Sequence, residues 1–129
     1  MTVLTHALAL KLVAEQGYDV IIPDIYTSIA DEAFKYIRIT NIEITNSITV
    51  IGDDAFIGTH LTSVIIPDSV KTIGNHAFDS YHLENIVIGN NVERIGDYAF
   101  SKNQLTSVVI PDSVKTIGEG AFYALYNLE

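Results

Sequence analysis

The stretch that decides the fold is Leu61-Thr-Ser-Val-Ile-Ile-Pro-Asp-Ser-Val-Lys-Thr-Ile-Gly-Asn-His-Ala-Phe78, because its pattern returns along the whole chain. Its final Ala-Phe pair occurs five times, always at an interval of 22 residues. The five phenylalanines are Phe34, Phe56, Phe78, Phe100 and Phe122. Such a period indicates stacked coils, since one coil of about 20–29 residues cannot bury its own apolar face.

Two more columns keep the same interval. One holds isoleucines, four of them followed by glycine: Ile29, Ile51, Ile73, Ile95 and Ile117. The other is Tyr26, Ile48, Val70, Val92 and Val114. In the coil quoted above, we predict that Leu61, Val64 and Ile66 point inward. Pro67 and Asp68 then form a turn in which the Asp carboxylate bonds to amides just ahead of it, and the later glycine frees the backbone to bend.

These columns resemble the BspA-type leucine-rich repeat, whose pattern runs L-x-x-I-x-I-P-x-S-V-x-x-I-G-x-x-A-F. The likeness is close over residues 61–78 and 105–122, looser in the coils starting at Ile39 and Leu83, and covers residues 18–129. The family often has cysteine three residues after the phenylalanine, where this chain has Ile37, Thr59, Tyr81, Asn103 and Leu125. The resemblance implies a bacterial surface or secreted binding module that acts in adhesion or recognition, located outside the cell, and not an enzyme.

The period and the ends of the chain predict the domain organisation. We predict an α/β repeat solenoid of five 22-residue coils over residues 18–129, with a parallel sheet on its main face and an incomplete last coil. A second, shorter strand is expected at residues 70–73. Residues 1–17 are predicted to form an N-terminal helical cap over residues 2–16, started by Thr2 or Thr5 and ended by Gly17. A partner-binding helix is the alternative. The C-terminus reads as a fragment of a longer array, or as an edge for self-association.

The composition of the chain limits the classes of function that it can have. At 129 residues, 48% of them hydrophobic, the chain is one folded unit and not a disordered segment. A net charge of −9 argues against nucleic acid as a partner. The apolar run at residues 7–14 is interrupted by Lys11, which predicts neither a signal peptide nor membrane insertion. The chain has no cysteine, so a disulfide framework is excluded and localisation stays open.

The outward positions of the main strands are the candidate recognition surface. The strands are predicted at residues 18–23, 39–45, 61–67, 83–89 and 105–111. The residues predicted to bind a protein or glycan partner are Ile21, Glu43, Thr62, Ser63, Ile65, Glu84, Asn85, Val87, Thr106 and Val109. Four of them form a row of branched aliphatic side chains on the side expected to face water, which indicates a binding site. The alternative is that β-branched residues simply stack well in a parallel ladder.

Other repeated polar columns are predicted to be structural. The acidic column Asp31, Asp53, Asn75, Asp97 and Glu119 precedes each Ala-Phe pair, where it would cap a short helical turn; calcium binding is the alternative. His60 and His82 share a column and should lie side by side, without a third ligand for zinc. No nucleophile elbow, P-loop or zinc-protease motif occurs. We therefore predict no catalytic residues, no metal site and no cofactor, and a rival role as a structural or self-assembling, even engineered, scaffold.

Overall fold

The computed structural model describes residues 2–123, which form a parallel-strand solenoid of about five turns with a short helix at its N-terminus. Strand partners differ by 22 residues, as in Ser28 with Val50 and Val50 with Thr72. The predicted solenoid and its coil length are therefore confirmed. None of the helices within residues 2–123 has the length and apolar character needed to cross a membrane.

The continuous sheet lies where only a second, shorter strand was expected. It has six parallel strands in the order β1-β3-β5-β7-β9-β10. Their bounds are β1 Val3–Leu4, β3 Ser28–Ile29, β5 Val50–Ile51, β7 Thr72–Ile73, β9 Arg94–Ile95 and β10 Thr116–Ile117. We call this side of the solenoid the short-strand side.

The main strands do not form the single sheet that the sequence predicted. They pair only two by two, β2 (Asp19–Ile21) with β4 (Asn41–Glu43) and β6 (Ser63–Ile65) with β8 (Asn85–Val87). Residues 105–111 contain no strand at all. We call this side the main face. The prediction of one ladder here was wrong because a shared period aligns columns of residues without fixing how closely their backbones approach.

A glycine column explains why the coils are closest on the short-strand side. A Cβ atom added to Gly74 would lie 2.6 Å from the amide nitrogen of Asp53 and 2.6 Å from the carbonyl carbon of Gly52. Gly52, Gly96 and Gly118 are equally tight against the preceding coil. None of these glycines is among those with a positive φ, so the predicted role in bending the backbone was wrong. Close backbone approach is the physical reason for the column.

The N-terminus differs in part from the predicted helix. Helix α1 spans His6–Gln16, with Thr5 accepting a hydrogen bond from the Leu8 amide and Gly17 ending it at φ 78°. The helix starts late because Val3–Leu4 pairs with the first coil as β1 instead, a tertiary contact that overrides local helix propensity. The Gln16 side chain also bonds both backbone groups of Ile21, at 2.8 and 3.0 Å, along the outer edge of β2. These contacts cover the first coil on both sides.

The core follows the predicted inward sets. Leu61, Val64 and Ile66 are buried, as are Val70 and Ile73. The phenylalanines stack into one internal ladder, with ring centroids 5.1, 5.0, 5.4 and 5.5 Å apart from Phe34 to Phe122. These four distances measure the rise from one coil to the next along the core.

The Pro-Asp turns are closed by backbone rather than by side chains. In the quoted coil the Val70 amide donates to the Pro67 carbonyl at 3.1 Å. The Asp68 carboxylate instead accepts the Asn90 amide of the next coil at 2.8 Å. The predicted bond from the carboxylate to its own turn was therefore wrong, because the equivalent amide of the neighbouring coil lies within reach.

Candidate functional site

All ten residues predicted to bind a partner are solvent-exposed on the main face. The exposed fractions of their four aliphatic side chains are 54% for Ile21, 67% for Ile65, 58% for Val87 and 81% for Val109. Together with Glu43 they form the aliphatic row, one residue from each of five successive coils. In the first four coils strand alternation produces this row, because the residues on either side of each member pack into or against the core. Beside Val109, which lies outside any strand, Ile110 is itself exposed.

The strand pairing sets the neighbours within the aliphatic row. Ile21 lies beside Glu43 in the β2–β4 pair, and Ile65 lies beside Val87 in the β6–β8 pair. Val109 continues the row from a segment without strand structure. The row therefore contains two bonded pairs, and a gap in the ladder follows each of them.

Each gap is an open groove. The first groove, between β4 and β6, has a volume of about 290 Å³ and is lined by Glu43 and Ile65 among others. The second groove, between β8 and residues 105–111, has about 410 Å³ and is lined by Val87 and Val109. No ladder of hydrogen bonds bridges β4 and β6 in the described part of the chain. The strand edges at the first groove are consequently open to other partners.

Charge on the main face has one sign. Asp19 and Glu43 in its strands and Glu84 directly before β8 carry carboxylates, and none of these strands contains a lysine or arginine. Thr62, Ser63, Asn85 and Thr106 supply uncharged polar groups around the aliphatic row. The surface therefore combines exposed aliphatic side chains with a negative potential and a polar surround.

The acidic column forms a hydrogen-bond ladder between coils. Asp31 Oδ1 accepts the Asp53 amide, and Asp53 Oδ1 accepts the Asn75 amide, both at 2.8 Å. Asn75 and Asp97 repeat the contact with the coils that follow them. The column thus accepts backbone amides as predicted, but those of the next coil, so the prediction of caps on helical turns was wrong. No cluster of three metal-binding side chains occurs among residues 2–123.

The predicted histidine pair is confirmed as a contact. The rings of His60 and His82 lie 4.5 Å apart between centroids, and both residues are exposed. His76, in another column, stacks on Tyr98 at 5.2 Å and contacts the Asp79 carboxylate at 3.1 Å. The two ring contacts join adjacent coils, whereas the contact between His76 and Asp79 lies within one coil.

Sequence reasoning missed a buried polar group in the segment between the phenylalanine ladder and the main strands. Asn103 is fully buried and makes four hydrogen bonds. Its Nδ2 donates to the carbonyls of Phe78 (2.7 Å) and Phe100 (3.1 Å), and its Oδ1 accepts from the Leu83 amide (3.1 Å) and the Ser80 hydroxyl (2.9 Å). The signal was its place in the column where the resembled family carries cysteine.

A second missed feature is a pocket of about 320 Å³ between α1 and the first coil. It is lined by His6, Asp31, Glu32, Lys35 and Tyr36. Lys35 donates to the Glu32 carboxylate at 2.9 Å, and this hydrogen bond raises the pKa of the lysine above its ordinary value. Only the docking of α1 brings His6 to this site, so the repeat pattern could not reveal it.

Comparison with known proteins agrees with the geometry. The BspA-type leucine-rich repeat region matches residues 16–129 in six copies. No curated protein and no solved structure gave a match. Repeats of this type suggest a protein-interaction module on a solenoid fold that is generally non-catalytic, and no enzyme family matched. The chain belongs to the BspA-type leucine-rich repeat family.

Proposed function

We propose that the chain recognises another protein through its main face, as an adhesin-like module at the cell surface or outside the cell. The observation that carries this proposal is the aliphatic row, in which four branched side chains are more than half exposed. A surface with several exposed aliphatic side chains in a row is unfavourable in water and typical of an interaction site.

The chemistry of the main face favours a protein over a glycan. Aliphatic side chains gain free energy by burial against other apolar side chains, whereas a glycan offers mainly hydroxyl groups. The surrounding threonine, serine and asparagine residues supply the polar rim that surrounds the apolar centre of protein interfaces. Glycan binding through the same residues is the competing outcome of the test below.

The experiment uses a displayed library of random linear peptides and a glycan array as probes. We expect peptides to be enriched whose binding is lost in the double variant Ile65→Asp/Val87→Asp. The matched control is Val50→Asp/Ile117→Asp, which changes exposed aliphatic residues on the short-strand side. Peptides that bind both variants equally, or enrichment on the glycan array alone, would overturn the proposal.

Self-assembly is a second candidate function. It is favoured by β10, the outer strand of the six-stranded sheet in the described chain, where Ile117 is 48% exposed. Among residues 2–123 no further strand pairs with the outer side of β10, and an unpaired strand edge is a template for pairing with another copy. Light scattering over a wide concentration range should then show a growing mass that Ile117→Lys reduces, and a constant monomer mass would exclude this function.

A further inference from the structure

We propose that the partner segment on the main face is an amphipathic α-helix that lies across the strands and places one lysine or arginine opposite Glu43. This inference rests on the proposed function and adds the shape and the charge pattern of the partner. Its support is the repeat distance of the solenoid, the single sign of charge on the main face, and the grooves beside the aliphatic row.

The coil rise matches a helix. Successive coils are 5.0–5.5 Å apart along the phenylalanine ladder, and we take this rise as the mean spacing of the aliphatic row, in which bonded pairs alternate with gaps. One helical turn rises about 5.4 Å, so every turn would meet one coil. An extended strand repeats its side-chain direction about every 6.7 Å and would be a whole coil out of register after four coils.

Glu43 interrupts the aliphatic row and therefore predicts where a partner helix would carry a positive charge. The row reads aliphatic, acidic, aliphatic, aliphatic, aliphatic from Ile21 to Val109. A helix covering it would carry a cation one turn from the end that meets Ile21, because the Glu43 carboxylate would otherwise be buried against apolar side chains without a partner. Asp19 and Glu84, on the same face, add attraction for a basic segment and speed its association.

The grooves provide depth beside the row. The first groove adjoins Glu43 and Ile65, and the second adjoins Val87 and Val109. A long apolar side chain of the helix can enter each groove, which converts a shallow contact into a packed one. If the helix runs from the first coil to the last, its apolar residues at i, i+7, i+11 and i+14 meet the four aliphatic members of the row. Its lysine or arginine at i+3 or i+4 then faces Glu43.

The test compares two displayed libraries of about 15 residues, one on a stapled helix and one on a β-hairpin, each with a single randomised face. The target is the whole chain, with Ile65→Asp/Val87→Asp as the counter-target. We expect only the helix library to yield binders that depend on the main face, with a basic residue at the position facing Glu43.

A charge swap then tests the proposed contact directly. Glu43→Lys should weaken such binders at least about tenfold, and replacing their basic residue by glutamate should restore the affinity. Glu93→Lys changes the net charge by the same amount at an exposed position away from the main face and is the control. The proposal of a helical partner would be overturned by binders from the hairpin library alone, or by helical binders whose affinity does not change with the charge swap. Either result would leave the proposed function unaffected. If neither library yields binders that depend on the main face, both proposals fail.

Discussion

The short-strand side and the main face of the same coils are held together in different ways. On the short-strand side six strands form an unbroken ladder, and glycines let each backbone approach the preceding one. On the main face the ladder exists only in pairs, and two grooves open between them. The comparison teaches that one side of the solenoid carries its cohesion, while the other is left free to vary its side chains and to meet a partner.

The largest expected effect concerns Asn103, whose side chain joins the segments that follow Phe78 and Phe100 ahead of the main strands. Asn103→Leu should lower the free energy of unfolding by about 4 kcal/mol, since several buried polar groups lose their partner at about 1–3 kcal/mol each. Asn91→Leu, at an exposed asparagine with one bond to the Asp68 carbonyl, should cost under about 1 kcal/mol. Urea denaturation measures both free energies, and similar losses would mean that Asn103 does not hold these two segments together.

The next largest effect concerns the close approach of neighbouring backbones on the short-strand side. Gly74→Ala should cost about 2–3 kcal/mol, because the new methyl group meets backbone atoms of the preceding coil. Gly17→Ala also costs about 1–3 kcal/mol, because its φ of 78° and ψ of −151° strain any residue with a Cβ atom, but its added methyl group meets nothing within 4 Å. A larger side chain separates the two effects: Gly74→Leu should cost clearly more than Gly74→Ala, whereas Gly17→Leu should cost about as much as Gly17→Ala. If the larger side chain adds the same loss at both positions in thermal denaturation, close approach does not explain the column.

A smaller effect should follow from breaking one step of the acidic ladder. Asp53→Ala removes the acceptor of the Asn75 amide and should cost about 1 kcal/mol. Asp53→Asn keeps an oxygen in the same place, as Asn75 already does one coil later, and should stay within about 0.5 kcal/mol of the parent. Equal losses in the two variants would show that charge, rather than the hydrogen bond, is what matters at this column.

The smallest expected effect is a gain in the free energy of unfolding. Glu32, Asp54, His76 and Tyr98 share a column and a left-handed backbone with φ of 55–64°, where the last coil has Gly120. Asp54→Gly should therefore raise the free energy of unfolding by about 0.5 kcal/mol, since glycine adopts this conformation without strain. Lys115→Gly, at a position without positive φ, should instead lose about 0.5–1 kcal/mol. A loss in both variants, measured by urea denaturation, would contradict the expected strain.

Sequence could predict everything that depends only on the repeat. The interval of 22 residues identified the phenylalanine ladder, the buried columns and the exposed aliphatic row, because equivalent residues of stacked coils share an environment. It could not predict which side forms the continuous sheet, since hydrogen bonding depends on a backbone approach that Gly74 permits and the main strands do not enforce.

The other features that the sequence did not predict are contacts between a residue and another coil. Asp53 and Asp68 satisfy amides 22 residues away, and no local rule separates these bonds from a cap or a turn within the same coil. Asn103 lies at a position where the chain departs from the common pattern, and its role follows from groups that only the folded structure brings together. Val3–Leu4 similarly becomes a strand only because the first coil offers an edge.

The acidic ladder also gives the stack a direction. Each step joins a side-chain oxygen of one coil to an amide of the following coil, so every described step runs in the same direction along the chain. A coil inserted in this orientation can accept an amide on one side and donate its own on the other, whereas a reversed coil would set acceptor against acceptor. A duplicate of residues 61–82 inserted after residue 82 should therefore extend the solenoid in register.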